Sequence, residues 1–304
     1  MTHKPDPRRR LVGYLEAIAA ACLWGSSGIF AVHLMRLGVP PESLALLRPL
    51  IGLTCLVAVI GVRDPGSLRV TPRVLLLLTL GGGVAVGVFQ LAYQLSTDAV
   101  GVPTTVALLY LAPAIVIVVS GPLLGEWPTR ALLVLAAITL TGVWLSVSGA
   151  ETVVATFGTA GLSWGILAGL AYATYTLFGR FASWHYGPAP TVVYSTAGAC
   201  LLLIAVLPSI SGPLVLPSSA AAWLILVAFG ILTISVAQFL FFDALSRIEA
   251  GKASVATAAE PAVAAVLATT LLSQGLSPIG WTGIALVVLG VAGVGVVSAT
   301  RNEG

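Results

Sequence analysis

The chain has 304 residues, of which 58% are hydrophobic and only 8% charged, with a mean hydropathy of +1.04. A soluble domain carries about 25% charged residues because its surface faces water, so a water-facing exterior is excluded for most of this chain. The formal net charge of +3 comes from basic residues at segment ends and forms no nucleic-acid-binding patch, which leaves lipid as the solvent.

Apolar runs of about 20 residues, too long for the ~10-residue alternation of barrel strands, predict helices. The fold class is therefore all-α, a polytopic membrane protein with ten transmembrane helices. They fall at roughly 11–32, 42–62, 73–95, 100–124, 130–149, 160–181, 190–208, 219–242, 252–272 and 279–299. Residues 1–10 form a basic cytoplasmic segment, and the first span reads as an uncleaved helix rather than a signal peptide. With the N-terminus in the cytoplasm, the inner side collects Lys4, Arg8, Arg9, Arg10, Arg63, Arg69, Arg73, Arg130, Arg180, Arg247, Lys252 and Arg301. Arg36 is left outside and Arg48 within a span. This asymmetry obeys the positive-inside rule and places both termini in the cytoplasm of a cell-membrane protein.

Ionisable side chains at bilayer depth are costly and count as functional candidates. In the first span Glu16 lies close enough to the inner end to snorkel. Arg48 is about six residues into the second span, ~9 Å deep by helical rise. Glu260 is about eight residues into the ninth, ~12 Å deep, so the two reach similar depths and suit a pair or a shared cavity. Glu260 is read as a proton-coupling carboxylate or the anchor for a cationic substrate group, against a buried structural ion pair or a protonated acid bonded to a carbonyl. Gln90 and Gln238 either stitch helices together or contact substrate. Trp24, Tyr93, Tyr110, Tyr172 and Tyr175 form candidate aromatic walls, whereas Trp127, Trp184, Trp223 and Trp281 sit at span ends as belt anchors. Cys22, Cys55 and Cys200 are isolated and read as small core residues, so no metal and no cofactor is expected. Glycines four apart (Gly161, Gly165 and Gly169; Gly83 and Gly87; Gly121 and Gly125) mark close helix approach.

A shift of 148 positions superposes the halves. It lays Gly13 on Gly161, Trp24 on Tyr172, Phe30 on Phe178, Pro40 on Pro188, Gly82 on Gly230, Gln90 on Gln238, Pro113 on Pro261, Leu124 on Leu272 and Gly142 on Gly290. Each half holds five spans, an odd number, so the second must insert upside down. Such inverted five-helix repeats typify secondary transporters, with the substrate near the midplane. The organisation is a segment at 1–10, a first repeat at 11–150, a linker at 151–159, a second repeat at 160–299 and a cytoplasmic tail at 300–304. Pro113 and Pro261 each remove a backbone hydrogen bond and kink their helix, either as hinges around a cavity or simply for packing.

Short motifs along the chain resemble the EamA-type branch of the drug/metabolite transporter superfamily. They are Ala21–Cys22–Leu23–Trp24–Gly25–Ser26, Leu46–Leu47–Arg48, Leu111–Ala112–Pro113, Leu123–Leu124–Gly125–Glu126, Glu260–Pro261–Ala262–Val263–Ala264–Ala265 and Gly280–Trp281–Thr282–Gly283–Ile284. The resemblance implies two inverted repeats, a cavity lined by the first four helices of each half, and transport of amino acids, related metabolites or drugs. The chain departs from the family at Ser273 and Gln274, where a Gly–Glu pair is usual.

The expected function is a secondary carrier of a small molecule, an exporter, with the lipid bilayer and a coupling proton as partners. A membrane-embedded lipid-modifying enzyme is the alternative, but it would need clustered catalytic groups, and His3, His33 and His185 all lie at or outside span ends. A non-transporting membrane subunit is the other alternative. Catalytic residues are not expected.

Overall fold

The computed structural model describes residues 7–148, 159–210, 213–271 and 277–300. Residues 1–6, nearly all of the 151–159 linker, Leu272, Ser273, Gln274 and the tail from Arg301 lie outside the described residues.

Among the described residues every regular element is helical. The first half consists of α1 (Pro7–Gly25), α2 (Ser27–Arg36), α3 (Pro41–Arg63), α4 (Pro72–Leu76), α5 (Gly83–Leu109), α6 (Ala112–Leu124) and α7 (Arg130–Ser148). The second consists of α8 (Thr159–Tyr186), α9 (Pro188–Ile210), α10 (Ala220–Gly230), α11 (Ala237–Arg247), α12 (Ala250–Ala256), α13 (Ala259–Leu271) and α14 (Pro278–Thr300). A π-helical turn, Leu77–Gly82, joins α4 to α5, and another, Ile231–Val236, joins α10 to α11. The mated glycines flank these turns, with Gly82 ending the first and Gly230 preceding the second.

Among the described residues eight helical stretches are long and apolar enough to cross a bilayer, where the sequence reading counts ten. The difference lies in two segments. Helix α8 has the length but carries Ser163, Trp164, Tyr172, Tyr175, Arg180, Ser183 and His185, which lower its hydropathy. The segment expected at 252–272 is broken at Thr257–Ala258 into α12 and α13, each too short to span alone. Helix α5 merges two stretches across Gly101, whose φ of 80° is a left-handed value that only glycine adopts without strain.

Helix contacts come in pairs related by the 148-residue shift. Helix α1 packs on α11 as α8 packs on α5, and α3 meets the second π-helical turn as α9 meets the first. Helix α1 contacts α13 as α8 contacts α6, and α7 lies against its own mate α14. Two copies of one unit related by a two-fold axis produce such pairs. Several contacts need glycine. A Cβ on Gly161 would meet Val100 and Ala99, one on Gly165 would meet Leu108, and Gly83 lies 2.7 Å from the Gly198 backbone by the same measure. Gly125 is an exception to the ridges expected from spacing. It caps α6 at φ 72° with nothing beside it, so backbone conformation, not packing, explains it. The outer surface is apolar, with Leu11, Val62, Val118, Leu224 and Leu289 all exposed. The belt residues Trp127, Trp184, Trp223 and Trp281 are exposed as well. Cys200 is buried, but Cys22 is exposed; in a lipid-facing chain a small apolar side chain is as stable outside as in the core.

Candidate functional site

A narrow cavity of about 30 Å³ lies where the halves meet, room for one or two waters. Helices α1, α3, α5, α8, α11 and α13 line it together with Ser27 of α2 and Ile234 of the second π-helical turn, whereas α7 and α14 contribute nothing. Of the candidate residues, Trp24, Arg48, Gln90, Tyr93, Tyr172, Tyr175, Gln238 and Glu260 all border it. Four mated pairs face one another across it: Trp24 with Tyr172, Ser27 with Tyr175, Val86 with Ile234, and Gln90 with Gln238. The walls are thus nearly symmetric in sequence.

The charges break that symmetry. Arg48 comes from the first half and Glu260 from the second, and their mates are Thr196 and Ala112. Both are buried, at 4% and 5% exposure. They share the cavity without forming an ion pair within 4.0 Å, so the shared-cavity arrangement holds and the paired one does not. One Arg48 guanidinium nitrogen donates to Gln90 Oε1, the guanidinium lies 4.8 Å over the Phe229 ring, and its Nε is without a hydrogen-bond partner. In the second half Gln238 Nε2 donates to Thr196 Oγ1 at 3.0 Å, the equivalent bond with a hydroxyl in place of the cation.

Glu260 owes its position to the broken ninth segment. Pro261 has no N–H to give the carbonyl four residues back, and that carbonyl belongs to Thr257, where the helix stops. Tyr110 Oη donates to Thr257 O at 2.6 Å and also lies 3.1 Å from Glu260 Oε2. Tyr110 itself sits in the matching interruption between α5 and α6, two residues before its α6 begins. Both prolines therefore stand in the first turn of a half-helix, Pro113 at its second residue and Pro261 at its third, with the interruption ahead of each. Tyr110 does not line the cavity but supports Glu260 from behind. Tyr172 Oη reaches Thr257 Oγ1 at 3.3 Å, and Trp24 Nε1 donates to Thr233 O in the second π-helical turn at 2.9 Å.

The aromatic wall is a continuous cluster. Phe89 stacks on Tyr175 at 6.2 Å and lies 5.5 Å from Tyr172, while Phe241 packs 5.2 Å from Trp24. Sequence reasoning missed both phenylalanines. Phe241 is the 148-shift mate of Tyr93, and Phe89 precedes Tyr93 by one helical turn, so both signals were present. Glu16, close enough to the inner end to snorkel, pairs there with Arg247 at 3.1 Å. Among the described residues no three His, Cys, Asp or Glu side chains gather as a metal site would need.

A helical bundle of two mated halves, closed around a buried Arg and Glu on an aromatic wall, has the architecture of a membrane carrier. The chain belongs to the EamA-like transporter family, which matches residues 11–148 and again 159–296, two stretches that begin 148 positions apart. It is 28% identical to the uncharacterized inner membrane transporter YicL of Salmonella typhimurium, over 92% of this chain and 93% of that protein. It is 24% identical to the uncharacterized transporter YwfM of Bacillus subtilis, over 91% of each. A crystal structure of a protein 22% identical shares the fold at a TM-score of 0.79, covering 96% of this chain and 99% of that one.

Proposed function

We propose that this chain is a secondary carrier exporting a small metabolite (an amino acid, a related metabolite or a drug) by alternating access between two inverted five-helix repeats. Ten crossings, counting α8 and the α12–α13 segment, put both termini in the cytoplasm of a cell membrane, and the polar stretch at 151–159 divides the repeats. The observation that carries the reading is the seam cavity, where Arg48 of one half and Glu260 of the other converge without charged mates.

A buried guanidinium with an unpartnered Nε is suited to an anionic group, and a carboxylate beside it to a cationic group or a coupling proton. The aromatic wall then holds the apolar body between them. A cavity of about 30 Å³ does not admit a metabolite unless its walls part, which is what exchange between inward- and outward-open forms supplies. The interruptions ahead of Pro113 and Pro261 are the natural hinges.

Glu260→Gln, reconstituted in vesicles, should lose transport while reaching the membrane and remaining monodisperse. Transport at the native rate would remove Glu260 from the mechanism. The topology has its own test. Tags at the N-terminus and at Glu151 should be reached from opposite faces of the bilayer, and labelling of both from one face would end the inverted-repeat geometry.

A further inference from the structure

At the bundle end where α1 begins, Glu126 closes a four-helix junction. Its Oε1 accepts from Arg180 Nε at 2.6 Å and its Oε2 accepts from the backbone N–H of Ala250 at 2.8 Å. Arg180 in turn donates to Leu245 O at 2.7 Å, and its guanidinium lies 4.6 Å over the Trp184 ring. Glu126 ends the first half's α6 segment, whereas Arg180, Leu245 and Ala250 belong to α8, α11 and α12 of the second half, so both bonds to Glu126 cross between the halves. A second crossing lies beside it, where Glu16 pairs with Arg247, itself bonded to Asp243 at 2.8 Å. The ion pairs of Glu126, Glu16, Asp243 and Glu249 are all at this end.

The other end is closed by different chemistry. Under the 148-residue shift the mates of Arg180, Leu245 and Ala250 are Val32, Thr97 and Val102, and Glu126 falls on Gln274. The mates of Glu16, Asp243 and Arg247 are Trp164, Leu95 and Ala99. Not one is charged. Closure there consists of Gly161 against Ala99 and Val100, with Ser96 bonded to Thr105 at 2.8 Å and to Gly161 O at 3.2 Å.

We infer that Glu126, with Arg180 and the Ala250 N–H, is an ionic latch that holds the α1 end shut and must break for the central cavity to open on that side. Among the described residues the opposite end holds no ion pair to break. The Arg180 and Glu126 side chains are only 12% and 13% exposed, so solvent screens the pair less than a surface bridge. The inference rests on the carrier reading, but its test reads accessibility and not transport, so either can fail while the other stands.

Ser254, fully buried one turn beyond Ala250, is replaced by cysteine in a full-length chain whose Cys22, Cys55 and Cys200 are removed. Labelling by a membrane-impermeant maleimide is then timed from the N-terminal side. Thr97→Cys, at the mate of Leu245, is timed from the other side as a control. Glu126→Gln should speed Ser254→Cys labelling at least several-fold and leave Thr97→Cys labelling unchanged or slower. Ala250→Pro provides a variant that spares the ion pair. It deletes the N–H that Glu126 accepts, at a first helical position whose backbone suits proline, and adds ring atoms at a fully buried residue. It should speed Ser254→Cys labelling by a smaller factor and leave Thr97→Cys labelling unchanged. Native labelling rates in both variants overturn the latch. So does equal acceleration at both ends, which would mean general loosening.

Discussion

Trp24 and Tyr172, 148 positions apart in sequence, meet edge to face at the centre of the bundle with ring centroids 6.3 Å apart and planes at 81°. Mated residues touch each other only where the axis relating two copies passes, so this contact marks the seam of the halves. Trp24→Ala and Tyr172→Ala should each weaken substrate binding about ten-fold or more. Because the rings are in contact, an aromatic pair term of about 0.5–1.5 kcal/mol is shared, and the double variant should fall short of the product of the two. Equilibrium binding in detergent measures this, and strict additivity would deny the coupling.

Arg48 is the cation whose mate is a threonine. Lysine there keeps the charge but loses the planar fork that meets Gln90 and Phe229 together. Arg48→Lys should retain a small fraction of transport and Arg48→Thr, which makes the halves alike, none, with both proteins still inserted. Gln238→Leu on the symmetric side breaks only a neutral bond to Thr196 and should reduce transport by less than ten-fold. A Gln238 effect as large as that of Arg48 would show that the asymmetry of charge is irrelevant to transport.

Tyr110→Phe removes one hydroxyl and leaves the Thr257 carbonyl without the donor that replaces the missing Pro261 N–H. The Thr257 carbonyl keeps the Glu260 N–H at 3.0 Å but loses its second donor, a net hydrogen bond of about 0.5–1.5 kcal/mol, so thermal unfolding should begin a few degrees lower. Pro261→Ala in the same background restores a backbone donor in sequence and should recover part of the loss. No recovery would detach Tyr110 from the helix interruption.

Much of this arrangement was legible in the chain because lipid leaves few choices. The low charge and runs of about 20 apolar residues gave the helical class, and the 148-residue shift gave two of the mated pairs that line the cavity, Trp24 with Tyr172 and Gln90 with Gln238. Residue spacing alone could not tell which of those mates carry an interruption. Pro113 and Pro261 pointed to bends, but not that the helix stops ahead of Pro261, where Tyr110, 147 positions away, joins the Glu260 N–H in bonding the Thr257 carbonyl. The latch was equally hidden. Glu126, Arg180 and Ala250 share no motif and come together only through packing of α6, α8 and α12. Phe89 and Phe241 were passed over because aromatic residues in apolar helices are common, and only their contact with Trp24 and Tyr172 sets them apart.

The closest approach of the halves gives a prediction independent of function. Helix α9 crosses the first π-helical turn at Gly198, where an added Cβ would collide with the Thr79 carbonyl and crowd Gly83. The obstacle is backbone, which cannot rotate away as a side chain does. Gly198→Ala should therefore force α9 off the turn, lowering the yield of folded protein and its unfolding temperature by several degrees. Gly61, on the exposed face of α3 with nothing within 4 Å of its Cβ position, is the matched control. There alanine gains up to about 1 kcal/mol of helix propensity, so Gly61→Ala should be neutral or slightly stabilising. Size-exclusion profiles and thermal unfolding of both variants decide the matter. Equal tolerance of the two substitutions would show that the halves do not meet at Gly198.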